Sequence, residues 1–137
     1  MLKTRLIPVL LLKNGLLVRS EGFEIHQIIG NPINEVDRFN QWNVDELIYI
    51  DISEGDKYDL GRDDSKLKGL NDPLDILKAV SKNCLMPLTW GGRIKDLDDI
   101  HERISFGADK VTINSQAFKN PSLITEGAKK FGSQAIV

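Results

Sequence analysis

The chain alternates short, continuous apolar runs with longer stretches in which apolar residues recur at helical spacing. The apolar runs cover residues 5–12, 46–52, 85–90 and 110–114. A continuous apolar run of this length is typical of a strand that is buried on both faces. The helical stretches between the runs complete a repeating β–α pattern, which predicts a parallel sheet with right-handed crossovers.

The predicted helices begin at capping signals. Asn31 and Asp72 are each followed by a proline, as expected for an N-cap residue next to the first helical position. The apolar spacing behind Asn31 places Trp42 in the core, and the helix that starts near Asn120 has Ile124 on its inner side. Both positions are expected to be buried.

The final residues, 133–137, are expected to begin a fifth strand. Such a strand needs a neighbour on each side, so a domain seldom ends inside one. We therefore interpret residues 1–137 as a single incomplete domain of parallel α/β class. The polar stretch 53–71 is predicted to be a long loop after the second strand.

Composition and charge exclude several classes of protein. The chain is 41% hydrophobic and 28% charged, which is ordinary for a globular protein, and its net charge of −2 argues against a nucleic-acid partner. The apolar run at residues 6–12 is too short to span a membrane. Because Cys84 is the only cysteine and neither histidine has a partner at ligand spacing, we predict no metal site and no internal disulfide. We expect a cytoplasmic protein.

Several segments, in this order and at nearly family spacing, resemble the cyclase subunit of imidazole glycerol phosphate synthase. They are LKTRLIPVLLLKNGLLV, VDELIYIDI, TWGGRI, GADKVTINSQAFKNPSLI and KKFGSQAIV. The resemblance covers the whole chain except the loop 53–71, which is longer here. It implies the N-terminal half of a (β/α)8 barrel, with about four β–α units and the start of strand five.

The resemblance also implies an activity. The family's cyclase, a lyase-type enzyme, receives ammonia from a glutaminase subunit and adds it to a phosphorylated ribulosyl-aminoimidazole substrate. The product is then cleaved and cyclised in the histidine pathway, without a metal or an organic cofactor. We expect that this chain alone lacks the activity, because the family's second catalytic aspartate lies on strand five, beyond residue 137.

In such barrels the site lies where the strands end, which selects Leu11, Asp51, Trp90–Gly92 and Asn114–Ser115. Glycines after a strand let backbone N–H groups approach an anion, although they also simply permit a tight turn. A carboxylate ending an apolar strand is costly to bury, which favours a site role for Asp51 over a structural one.

By resemblance, residue roles can be carried over position by position. Gly91, Gly92, Asn114 and Ser115 match the family's phosphate-binding residues, and Arg19 replaces a lysine that reaches toward substrate. A third family glycine is replaced by Arg93, which would either strengthen phosphate binding or crowd the turn.

The starts of the strands carry a second group of matches. Arg5, Glu46 and Lys110 match three of the four charged residues that gate the family's ammonia entrance. The alternative is a salt-bridge network that closes the barrel floor. Asp45 and Asp109 match positions near the glutaminase docking face, although ordinary surface charge is the simpler explanation.

One position departs from the family in a way that affects chemistry. The family's first catalytic aspartate is replaced by Leu11, and leucine cannot transfer a proton. Three hypotheses follow. The chain is a cyclase subunit or part of one, or a cyclase-like paralogue that delivers ammonia for the amidation of surface sugars, or a non-catalytic half-barrel that associates with itself.

Overall fold

Four parallel strands form the centre of the molecule. The computed structural model describes residues 2–55, 57–59 and 72–137. Its parallel strands are β1 (Val9–Lys13), β4 (Leu47–Asp51), β5 (Leu88–Gly91) and β6 (Lys110–Thr112). An antiparallel hairpin, β2 (Leu16–Glu21) and β3 (Ile25–Gly30), extends the same sheet in the order β3-β2-β1-β4-β5-β6.

Helices connect successive parallel strands, as the β–α pattern predicted. They are α1 (Pro32–Gln41), α2 (Pro73–Asn83), α3 (Leu97–Ser105), α4 (Ser115–Lys119) and α5 (Ser122–Phe131). This arrangement confirms the predicted partial (β/α)8 barrel. None of the helices within the described residues has the length and apolar character needed to cross a membrane.

The two predicted N-caps are confirmed in atomic detail. The Asn31 side chain accepts a hydrogen bond from the Ile33 N–H at 2.8 Å, and the Asp72 side chain accepts one from the Leu74 N–H at 2.8 Å. Each cap satisfies a backbone donor that the helix itself leaves free. The local sequence signals therefore set where α1 and α2 begin.

Some details differ from the predictions. Trp42 lies beyond the end of α1 and is 63% exposed, and Ile124 is 41% exposed on α5, so both core assignments were wrong. Strand β1 begins at Val9 rather than at residue 5. Residues 133–135 form a 3-10 turn, and pairing with β6 starts only at Ile136, which bridges Val111.

The sheet buries one face against the helices. Tyr49 and Trp90 stack there with ring centroids 5.7 Å apart, and the Tyr49 hydroxyl donates a 2.7 Å hydrogen bond to the Pro32 carbonyl. Since side chains alternate along a strand, the opposite face carries Leu11, paired with Ile50 of the neighbouring strand. The core thus joins strand β4 to the start of α1. The opposite face of the sheet is left free of these helices and can contribute to a site.

The predicted long loop is described only in part. Residues 53–55 and 57–59 follow β4, and the remainder of the predicted loop, residues 56 and 60–71, lies outside the described residues.

Candidate functional site

A cavity of about 580 Å³ lies where β4, β5 and β6 end. Residues that follow all three strands line it, because the carboxyl ends of parallel strands meet at one edge of a sheet. The polar and charged residues in its lining are Asp51, Ser53, Arg93, Lys95, Thr112, Asn114, Ser115, Gln116 and Lys119. Among these described residues, three are cations and one is an acid, so the cavity favours an anion.

Two glycines, Gly91 at the end of β5 and Gly92 directly after it, are packed tightly against neighbouring strands. Gly92 has φ +92°, and a Cβ added there would lie 2.1 Å from the Asp51 carbonyl oxygen. A Cβ on Gly91 would lie 2.2 Å from Cγ2 of Thr112. Both contacts are far below van der Waals distance, so each position requires glycine. Gly92 lines the cavity, whereas Gly91 is buried beneath it.

Arg93 has a backbone conformation that glycine adopts more readily than other residues do. Its φ is +61°, in the left-handed region that side chains rarely adopt. The guanidinium donates a hydrogen bond to the Gly55 carbonyl, and its Nη1 lies 3.9 Å from Oδ2 of Asp51. The side chain therefore points toward the loop after β4 and does not crowd the turn.

The Asp51 carboxylate is surrounded by partners. Its side chain is 1% exposed, Oδ1 accepts the Ser53 N–H at 2.9 Å, and Oδ2 accepts the Tyr58 hydroxyl at 3.0 Å. Burial first, and then the charge of Asp51, raise the pKa of Tyr58 above its usual value, so the phenol remains a donor. These contacts give Asp51 a structural task; its catalytic role stays a prediction.

Asn114 lies between the end of β6 and α4, Ser115 is the first residue of α4, and both are exposed. They line the same cavity as Gly92, as a shared phosphate site requires. The structure thus brings together three of the four residues matched to the phosphate site and places the fourth, Gly91, next to Gly92. Phosphate binding itself stays a prediction.

Arg19 and Leu11 lie apart from this cavity. Arg19 is exposed on β2, and both residues line a separate depression of about 260 Å³ between β1 and the hairpin. The extended segment that carries Arg19 is the first strand of the hairpin, and the second strand, β3, was not predicted. Leu11 still lies close to the main cavity, because it pairs with Ile50, which lines that cavity.

The three residues matched to the ammonia gate meet at the opposite end of the strands. Arg5 donates a hydrogen bond to Oε1 of Glu46, and Nζ of Lys110 lies 3.3 Å from Oε2 of the same carboxylate. The Glu46 side chain is only 11% exposed. We call Arg5, Glu46 and Lys110 the charged ring; whether it admits ammonia stays a prediction.

Asp45 and Asp109 repeat one contact at two places. The Asp45 carboxylate accepts the Leu6 N–H at 2.7 Å, while the Asp45 N–H donates to the Leu6 carbonyl at 3.0 Å. Asp109 does the same with Leu88, at 2.8 Å in each direction. Asp109 therefore holds the start of β5, and Asp45 holds the segment that leads into β1. Docking of a partner remains a prediction.

Removing the charge of Glu46 is expected to weaken the fold. Glu46→Gln removes the carboxylate charge that Arg5 and Lys110 share, so we expect the free energy of unfolding to fall by roughly 1–2 kcal/mol. Urea denaturation measures this. Glu126→Gln, on the exposed side of α5, is the control and should change stability by less than about 0.5 kcal/mol. Equal losses in the two variants would contradict a shared ion pair.

Sequence reasoning missed several residues around the cavity. Lys95 and Lys119 add positive charge to its lining, and Tyr58 holds Asp51 from the following loop. The Asn14 N–H donates to Oγ of Ser53 at 2.8 Å, across 39 positions of sequence. The local sequence does not predict contacts between residues so far apart. The polar character of these side chains is the only sequence feature that could have suggested a place in the site.

Parallel strands, connecting helices and a polar cavity at the carboxyl ends define this chain as part of a (β/α)8 barrel. A family model described as histidine biosynthesis protein matches residues 5–137. The chain therefore belongs to the histidine biosynthesis protein family.

Relatives within the family carry closely related names. The chain is 42% identical over 137 residues to a Campylobacter jejuni protein provisionally named imidazole glycerol phosphate synthase subunit hisF2. It is 41% identical over 136 residues to imidazole glycerol phosphate synthase subunit HisF of Wolinella succinogenes, and 38% identical over 136 residues to that of Staphylococcus epidermidis. These matches cover 99–100% of this chain and 49–50% of each relative.

The chain thus spans about half the length of the curated relatives that it matches. The relatives' names agree with the first of the three hypotheses, the cyclase subunit, and not with the sugar-amidation or self-association alternatives.

Proposed function

We propose that this chain is the phosphate-holding, N-terminal half of an imidazole glycerol phosphate synthase cyclase barrel. The observation that carries the proposal is the cavity shared by Gly92, Asn114 and Ser115, whose lining also includes three cations. Backbone N–H groups in a left-handed turn and nearby hydroxyl and amide groups together suit a phosphate.

The two ends of the sheet carry different groups, which supports separate places for ammonia entry and for substrate binding. The charged ring lies at the strand starts, and the cavity lies at the strand ends. Leu11 and Ile50 lie on the sheet face that runs between them. We propose that ammonia from a glutaminase subunit enters by the ring and passes along this apolar face, which offers it few hydrogen-bond partners.

The proposed reaction is ammonia addition followed by lyase-type cleavage and cyclisation of a phosphorylated substrate in the cytoplasm, without a metal or organic cofactor. The residues of this chain would orient the substrate by one phosphate. With Leu11 at the acid–base position, the chain supplies no proton-transfer group there. We therefore propose that the chain alone binds the phosphate but does not turn the substrate over.

Phosphate binding tests this proposal. Inorganic phosphate is titrated while the amide chemical shifts of residues 92–95 and 114–116 are followed. A hydrogen bond to a charged group contributes about 1.5–3 kcal/mol, so Ser115→Ala is expected to weaken binding roughly 10- to 100-fold. Ser105→Ala, at the exposed end of α3, is the matched control and should bind as the wild type does. Absence of shifts in residues 92–95 and 114–116 would refute the phosphate site.

A further inference from the structure

Contacts from Arg93 join the turn after β5 to the loop after β4. We define the clasp as Arg93, Gly55, Asp51 and Tyr58. The Arg93 guanidinium donates to the Gly55 carbonyl and pairs with Asp51, and the Tyr58 hydroxyl donates to the same carboxylate. We propose that Arg93 is a positioning residue, which fastens the loop after β4 to the phosphate turn so that the loop and the anion site tighten together.

The backbone of Arg93 makes this role specific. A side chain at φ +61° is strained, and the family resemblance has a glycine here, which would adopt this conformation freely. The contacts of the guanidinium with Gly55 and Asp51 offset that strain. A long, forked donor is needed for both contacts at once, and lysine does not provide one.

The loop is also held from its other side. The Asn14 N–H donates to Oγ of Ser53 at 2.8 Å, and Oδ1 of Asn14 accepts the Asp59 N–H at 3.2 Å. Because this second attachment does not involve Arg93, loss of the clasp is expected to loosen only one side of the loop.

The coupling to an anion follows from the same geometry. An anion held by backbone N–H groups of the turn stabilises the left-handed conformation at Arg93, and this conformation directs the guanidinium toward Gly55. Coupling free energies are reciprocal, so a loop that is fastened by Arg93 must in turn strengthen anion binding. This step rests on the proposed phosphate site.

Hydrogen exchange of the protein tests the clasp. Backbone exchange is measured at residues 52–55 and 57–59, with and without inorganic phosphate. In wild type, phosphate is expected to slow this exchange about 3- to 10-fold. In Arg93→Gly and Arg93→Lys, exchange without phosphate should be about 10-fold faster, and phosphate should no longer slow it.

Two controls distinguish an effect of the clasp from an effect of positive charge alone and from misfolding of the variant. Lys95→Ala removes a neighbouring cation that lines the cavity, so it should weaken phosphate binding and leave loop exchange measured without phosphate unchanged. Unchanged exchange in β5 and α3 shows that each variant is folded. Arg93→Lys with wild-type exchange would mean that charge alone matters and would overturn the proposal, as would wild-type exchange in Arg93→Gly.

The result also distinguishes this inference from the proposed function. If phosphate fails to protect residues 92–95 and 114–116 in wild type, the phosphate site is wrong and so is its coupling to the loop. The fastening of the loop by Arg93 is then decided by the exchange rates measured without phosphate.

Discussion

Gly92→Ala is expected to lower the free energy of unfolding by about 3 kcal/mol or more. The new Cβ would lie 2.1 Å from the Asp51 carbonyl oxygen, so either the turn or strand β4 must move. The residue would also be held at φ +92°, which alanine resists. Since the turn lines the cavity, phosphate binding should be lost as well. Urea denaturation and a phosphate titration measure the two effects.

Gly22→Ala is the matched control for this substitution. Gly22 also has a positive φ, +61°, but a Cβ there would meet nothing within 4 Å. This variant therefore carries the backbone strain without the clash, and its loss of stability should be about 1 kcal/mol. If the two variants lost equal stability, the contact with Asp51 would not be what requires glycine at position 92.

Leu11→Asp is expected to raise cyclase turnover by about 10²- to 10⁴-fold in a complete barrel. The substitution places a proton-transfer group on the sheet face beside Ile50, which lines the cavity. The assay joins this chain to the C-terminal half of the Wolinella succinogenes relative, with ammonium as the nitrogen source. The initial rate of product formation is the measurement.

Leu11→Asn is the control, since asparagine has the shape of aspartate but its amide cannot act as a general acid or base. It should remain as slow as the wild type. Efficient turnover by the wild-type chimera would contradict the proposed loss of an acid–base group. If the aspartate and asparagine variants turned over at equal rates, the rise in turnover would be due to a polar side chain at position 11 and not to proton transfer.

The main strands and the helix starts were predictable because their signals are local. Continuous apolar runs marked β4 and β5, and the capping residues Asn31 and Asp72 marked where α1 and α2 begin. The hairpin was not predictable in full, because most of β3 is exposed and therefore carries no burial pattern. Trp42 matched the apolar period of α1, but it comes after that helix has ended.

The candidate site divides in the same way. The resemblance placed Gly92, Asn114 and Ser115, and the structure brings them to one cavity. The contacts of Arg93 with Gly55 and Asp51 could not be read from the sequence, because they depend on where two loops meet in space. The sequence left open whether Arg93 crowds the turn, and only its backbone and side-chain direction decide that.

The paired contacts of Asp45 and Asp109 have a consequence for engineering. Both aspartates set strand alignment at the end of the sheet remote from the cavity, and each does so by bonds in both directions to one neighbouring residue. A slip of one residue would break these bonds and turn the side chains to the wrong face. Foreign loops could therefore be grafted onto the cavity end without removing the contacts that align the strands, because those contacts lie at the opposite end of the sheet.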